Sequence, residues 1–162
     1  SAYGSGVMIP GTGVILNNFL NWTDLDPLSP NALQPGQRIA MCLAPSISTR
    51  DGEGILALGT PGSYGILQTQ VQAMVGHVDF GLDIQAAIEM PRARLWDGKQ
   101  IYLERRIPHS VCVELSNRGH EVALLPDYSW RTGGMQAVSR DPDSGALSGA
   151  ADSRRDGAVI PV

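Results

Sequence analysis

The turn Pro61-Gly62-Ser63-Tyr64 stands directly ahead of the strongest helical pattern in the chain. Backbone N–H groups at a helix start lack intrahelical acceptors and favour negative charge. That is the arrangement a developing oxyanion needs during acyl transfer. An ordinary strand-to-helix turn has the same sequence signature. Ser1 offers a different chemistry, because a terminal serine can act as a nucleophile with its own α-amine as base. His77, His109 and His120 are far apart and follow no metal-ligand spacing. Cys42 and Cys112 are the only cysteines. They make neither a disulfide framework nor a zinc site, and they leave the compartment open. Arg92 and Arg94 follow Pro91 and could anchor a carboxylate, although a surface ion pair is the plainer expectation. Asn17 and Asn18 end a strand and suit a capping or loop-shaping role.

These residues need elements to hold them. Gly4 to Leu16 reads as a hairpin around Pro10-Gly11-Thr12-Gly13. Residues 21–38 form a long polar loop with three prolines, of the kind that often serves as a substrate wall. Ile39–Ser48 and Ile55–Gly59 read as a strand pair around Asp51-Gly52-Glu53-Gly54, with Pro45 marking an edge or a bulge. Leu67, Val71, Met74, Val75 and Val78 recur on one helical face, which predicts a helix over about 64–79 with that face inward. A second helix is expected from the N-cap Asp83 to about Glu89, before Pro91. A third runs from Pro108 to Arg118, with Val111, Cys112 and Leu115 inward and Gly119 ending it. Short strands at about 100–103, 121–124, 134–139 and 145–149 complete the chain. Grouped strands and helices argue for an α+β layered fold, and no dinucleotide fingerprint is present.

Composition narrows the classes further. Hydrophobic residues make up 43% of the chain, enough for a sizeable core, while charged residues are only 17%, which fits burial of extra surface against a partner. The net charge of −4 and the lack of any basic run beyond two arginine pairs argue against nucleic-acid binding. No apolar run reaches membrane-spanning length and no signal peptide is visible.

Several stretches together resemble the small subunit of the γ-glutamyltransferase family. They are Tyr3-Gly4-Ser5-Gly6 with Gly13 to Asn18, Pro35-Gly36-Gln37-Arg38 with Ala44 to Ile47, and Gly59 to Ser63. Asp79-Phe80-Gly81-Leu82, Ala86 to Arg92, Gly134 to Val138 and Gly149 to Gly157 follow in the family's order. The series covers nearly the whole chain. The resemblance implies an αββα sandwich of the N-terminal-nucleophile (Ntn) hydrolases, with residues 1–162 as a single domain and the C-terminal portion of the small subunit. A self-cleaving precursor would supply the large subunit as partner. The attacking N-terminal residue would lie a short stretch upstream of Ser1, on a strand outside this chain, so Ser1 itself is not the expected nucleophile. No metal or organic cofactor is needed by that chemistry.

The resemblance also implies site roles. Gly62 and Ser63 match the family's oxyanion turn, with Ser63 in place of a second glycine, and Tyr64 adjoins it on the substrate side. Met41 and Cys42 stand where γ-glutamyl transferases carry a Ser-Ser pair for the substrate carboxylate. Phe19 and Trp22 stand where those enzymes carry a polar residue and an Asp for the α-amine. Met and Trp cannot make those contacts and Cys does so poorly, so Phe19, Trp22, Met41 and Cys42 are expected to line a more apolar acyl pocket. Asp152, Arg154, Arg155 and Asp156 match a C-terminal signature, expected to be a salt-bridged turn near the subunit interface. The expected activity is that of an amide hydrolase or acylase acting on a small-molecule amide. γ-Glutamyl transpeptidation or glutathione hydrolysis is the alternative, and a catalytically silent binding module is a third reading. The acyl group, the compartment and any higher oligomer stay open.

Overall fold

The computed structural model describes residues 4–161, so Ser1 and Tyr3 lie outside the described residues. The chain divides into two compact units, Ser1–Met41 and Cys42–Val162.

In the first unit the expected hairpin is present in minimal form. Ser5 and Ile9 donate backbone bonds to Leu16 and Val14, and Met8 bridges Ile15. The Asn17 carboxamide oxygen accepts from the Phe19 N–H and so opens a 3-10 turn, Phe19–Trp22. Asn31 staples the long loop. Its side chain donates to the Trp22 carbonyl at 2.6 Å and accepts from the Ala40 N–H at 2.8 Å.

The second unit holds two sheets and three helices. One sheet has the order β1 (Ser46–Arg50), β2 (Glu53–Gly59), β6 (Gln136–Arg140), β7 (Leu147–Ala151), all antiparallel. The other has the order β3 (Ala93–Asp97), β4 (Gln100–Glu104), β5 (Glu121–Leu125), with β4 and β5 parallel through α3 (His109–Asn117). The helices α1 (Gly65–Val78) and α2 (Ile84–Glu89) pair with each other between β2 and β3 in the sequence. Asp83 caps α2 as expected, its carboxylate accepting from the Ala86 N–H. The first strand of the predicted pair is shorter than its hydrophobic run. Pro45, which lacks an N–H, precedes β1, and β1 is an edge strand with a register shift after Ser48. The strand β3 is absent from the sequence reading, because its alternation is broken by Arg94 in an inward position.

Sheet register explains which residues form the core. Ser46, Leu58, Ala137 and Ala150 stand side by side across the first sheet. Leu58, Ala137 and Ala150 face α1 and α2 and are buried with Leu56, Ala73, Ile84, Ile88 and Met135. The neighbouring row is Ile47, Ala57, Val138 and Gly149, one residue on and therefore on the opposite face. That row is open to solvent, with Ile47 75% and Val138 48% exposed, and it floors a broad apolar groove bordered by Val159 and Ile160.

The inner face of α1 differs from the expected one. Ile66, Thr69, Gln70, Ala73 and Gly76 face inward, while Leu67, Val71 and Val78 are exposed. The reason is distance. A Cβ at Gly76 would lie 2.7 Å from the Met90 sulfur and 3.5 Å from the Ala87 Cβ, so α2 approaches closer than a larger side chain permits. Close approach selects the small face over the most hydrophobic one. In α3 only Cys112 of the expected inner face is fully buried.

Glutamines on the helices complete the sheet edges. Gln72 and Gln68 each exchange two hydrogen bonds with the backbone of β3, at Ala93 and Leu95. Gln85 does the same at Ala151 of β7. A carboxamide pairs a strand edge as another strand would, which closes those edges at Ala93, Leu95 and Ala151.

The open apolar row has a direct consequence for the isolated chain. Expressed alone, it is expected to bind a hydrophobic dye and to self-associate. A sharp, monomeric unfolding transition in denaturant, without dye binding, would contradict this.

Candidate functional site

The Pro61–Tyr64 turn joins β2 to α1 through two left-handed residues, Gly62 at φ 145° and Ser63 at φ 58°. The left-handed backbone at Ser63 costs about 1–2 kcal/mol in a residue with a side chain. Gly65 and Ile66 donate to the carbonyls of Gly62 and Ser63. Among the described residues, nothing accepts from the N–H groups of Gly62 and Ser63. Ser63 and Tyr64 are exposed. Two consecutive backbone donors without internal acceptors therefore stand just ahead of a helix of 14 residues, whose dipole adds positive potential there.

A strap formed by Gly133 and Gly134 lies against this turn. The Gly134 N–H donates to the Thr60 hydroxyl at 3.1 Å. The Cα of Gly133 lies 3.6 Å from where a Cβ on Gly62 would stand. The strap continues from the 3-10 turn Trp130–Thr132 and leads into Met135, which is fully buried.

Behind the strap is a buried ionic cluster. Arg154 forks onto Glu104, with Nε and Nη2 each 2.7 Å from a carboxylate oxygen, and its Nη1 is 3.0 Å from Asp152. Arg92 pairs with Asp152 at 2.8 Å and donates to the carbonyls of Thr132 and Ile88. Arg106 reaches Glu104 at 2.9 Å and stacks over Tyr128. Glu104 also accepts from the Arg92 and Ser129 N–H groups and the Thr132 hydroxyl. Asp152 also accepts from the Met135 N–H at 2.9 Å.

Burial alone would raise the Glu104 carboxyl. The hydrogen bonds and charge of Arg154, with the Arg92 and Thr132 donors, hold it below its ordinary value instead. Burial likewise works against the Asp152 carboxylate, but Arg92 and the Met135 N–H keep it below the usual range. Arg92 is lowered to about 10 by burial first and by the charge of Arg154 second, and it stays protonated at neutral pH. Burial opposes the charge of Arg154, yet Glu104 and Asp152 raise it.

The structure brings Gly62, Ser63 and Tyr64 together on one turn. Phe19 and Trp22 begin and end the 3-10 turn of the first unit, Met41 closes that unit, and Cys42 is buried at the start of the second. Arg92 and Arg94 are corrected from surface positions to buried ones, at 1% and 6% exposure. Arg92 belongs to the cluster. Arg94 lies under the first turn of α1, where a Cβ on Gly65 would fall 2.8 Å from its Nε, and it donates to the Arg131 carbonyl. Asp152 and Arg154 are ion-paired as the signature implied, while Arg155 instead stacks on Trp130. Glu104 was missed, since a carboxylate ending the apolar run Ile101-Tyr102-Leu103 has no local signal of burial. Thr60 and the strap were missed too. His77 bonds the Leu82 carbonyl, and no metal-ligating cluster occurs among the described residues.

The profile of the family described as Gamma-glutamyltranspeptidase matches residues 1–162. The chain is 37% identical over 161 residues to the Acylase ACY 1 proenzyme of Pseudomonas sp. (strain SE83), covering 99% of this chain and 28% of that protein. It is 33% identical over 160 residues to the glutathione hydrolase proenzyme of Bacillus subtilis (strain 168), covering 99% of this chain and 27% of that one. Among solved structures, cephalosporin acylase from Bacillus halodurans superposes with a TM-score of 0.88, at 36% identity over 97% of this chain and 29% of that one. The chain thus spans less than a third of the length of these curated relatives.

The ionic cluster predicts acid sensitivity. Both carboxyls are lowered on folding, so their stabilisation is complete above the unfolded values of 4.5 and 3.8 and is lost as pH falls below them. Denaturant unfolding of the whole protein should show flat stability from neutral pH to about 5 and a fall below it. Asp152→Asn or Glu104→Gln should cost about 3–5 kcal/mol at neutral pH, because each strands a buried arginine, and should flatten that acid limb.

Proposed function

The chain belongs to the gamma-glutamyltranspeptidase family of Ntn hydrolases, and from that premise we propose that it forms the oxyanion-binding portion of an amide hydrolase of acylase type. The observation that carries this reading is the pair of N–H groups at Gly62 and Ser63, which lack internal acceptors and directly precede the N-cap of α1. Attack on an amide carbonyl moves negative charge onto its oxygen, and two fixed donors stabilise that charge without reorganising. The nucleophile is expected from the remainder of a processed precursor, of which this chain is one portion. The same remainder would supply a second sheet to cover the row Ile47, Ala57, Val138 and Gly149.

Acyl specificity rests on Phe19, Trp22, Met41 and Cys42. None of them offers a strong ionic or hydroxyl contact to a γ-glutamyl carboxylate or ammonium. An apolar or aromatic acyl group suits them better, in line with the acylase names among the relatives. γ-Glutamyl hydrolysis is the second reading, favoured by the glutathione hydrolase relative.

Two measurements on the whole processed protein test this. Gly62→Ala places a side chain at φ 145° and turns the donors away, so kcat for amide hydrolysis should fall about a hundredfold with KM little changed. An unchanged kcat would remove the oxyanion role. A panel of apolar acyl amides beside γ-glutamyl amides tests the pocket: faster turnover of the apolar set is expected. Efficient γ-glutamyl transfer beside poor turnover of that set would sink the acylase reading.

A further inference from the structure

We infer that Thr60 is a positioning residue for the oxyanion turn, linking it to the Gly133-Gly134 strap; this rests on the oxyanion reading above. The Thr60 hydroxyl acts in both directions. It accepts from the Gly134 N–H at 3.1 Å and donates to the Pro61 carbonyl at 2.8 Å. The Pro61 carbonyl and the Gly62 N–H belong to one planar, trans peptide group. Holding the carbonyl oxygen therefore fixes the direction of the Gly62 donor, which points the opposite way across the same plane.

The strap is placed to serve as an anchor. Gly133 adopts φ 108°, and a Cβ there would stand 2.6 Å from the Thr60 hydroxyl and 3.1 Å from the Pro61 carbonyl oxygen. Only glycine allows the two segments to approach this closely. On either side the strap is held by the ionic cluster, with Arg92 donating to the Thr132 carbonyl and the Met135 N–H donating to Asp152. The Arg155 Nε donates to the Gly133 carbonyl as well. A chain of contacts runs from the buried charges to the strap, to the Thr60 hydroxyl and to the Gly62 donor. A nearly isosteric substitution at Thr60 removes the hydroxyl link with little change of volume and leaves the buried charges paired.

The test uses the whole processed protein. Thr60→Val keeps the shape and loses both hydrogen bonds. Its kcat for amide hydrolysis should fall about tenfold or more with KM little changed, as a small misplacement of a catalytic donor does. Affinity for a boronate that forms a tetrahedral adduct should fall by a similar factor, because only the anionic adduct uses the donors. Thr60→Ser should restore most of the rate. If Thr60→Val does not mature, Thr60→Cys, with its weaker donor and acceptor, should give a rate well below that of Thr60→Ser. Cys turnover equal to that of wild type would overturn the role. So would a Thr60→Val enzyme of unchanged kcat beside a slowed Gly62→Ala, an outcome that leaves the oxyanion reading intact. An unchanged kcat in Gly62→Ala removes the oxyanion reading itself and this inference with it.

Discussion

The second unit is organised around a charge problem. Arg92, Arg154, Glu104 and Asp152 are all removed from water, and ions so placed are costly unless every lone pair and proton finds a partner. Here the partners come from distant parts of the sequence and reach every buried side-chain polar atom of the four except the Arg92 Nε. The carbonyls of Ile88 and Met90 end α2, the Ser129 and Thr132 donors belong to the segment before β6, and Met135 directly precedes that strand. Satisfying the charges therefore requires the end of α2, the start of β3, the end of β4 and the C-terminal signature to meet at one point. Hydrophobic contacts are tolerant of small shifts, whereas a forked arginine-carboxylate pair is not. The cluster sets the geometry and the apolar core fills in around it.

The site inherits its rigidity from this arrangement. Gly62 and Ser63 sit in left-handed backbone that a lone turn would not hold. The strap against them is braced by the charges, and α1 behind them is tied to β3 by two glutamines. Arg94 under the first turn of α1 adds positive charge where the helix already favours an anion. Its charge is opposed by burial, and no ion pair offsets it among the described residues. The turn is thus preorganised toward negative charge from several sides, which is how a donor pair becomes more effective than water.

The outer surface has a different logic. The first sheet buries the row of Leu58, Ala137 and Ala150 and leaves the row of Ile47, Ala57 and Val138 bare. The apolar stripe of α1 at Leu67, Val71 and Val78 is bare as well. A chain with 43% hydrophobic residues and few charges has spent only part of its apolar surface on its own core. This agrees with a portion of a larger protein, as the coverage of its relatives also suggests.

Local chemistry in the sequence determined the helices, the cap at Asp83, the Asp51-Gly52 turn and the glycine-marked turn before α1. Each depends on neighbours within a few residues, so each is readable from spacing. Ordered motifs over the whole length determined the family. The inward face of α1 was not readable, because close packing at Gly76 overrode hydrophobicity. Nor was β3, whose Arg94 points inward. The burial of Arg92 and Glu104, and the link from Thr60 to Gly134, were decided by tertiary structure alone. Those contacts join residues separated by 74 positions in one case and 50 in another. Nothing local distinguishes a buried, satisfied ion from a solvated one, since the difference lies in partners that only the fold brings within reach.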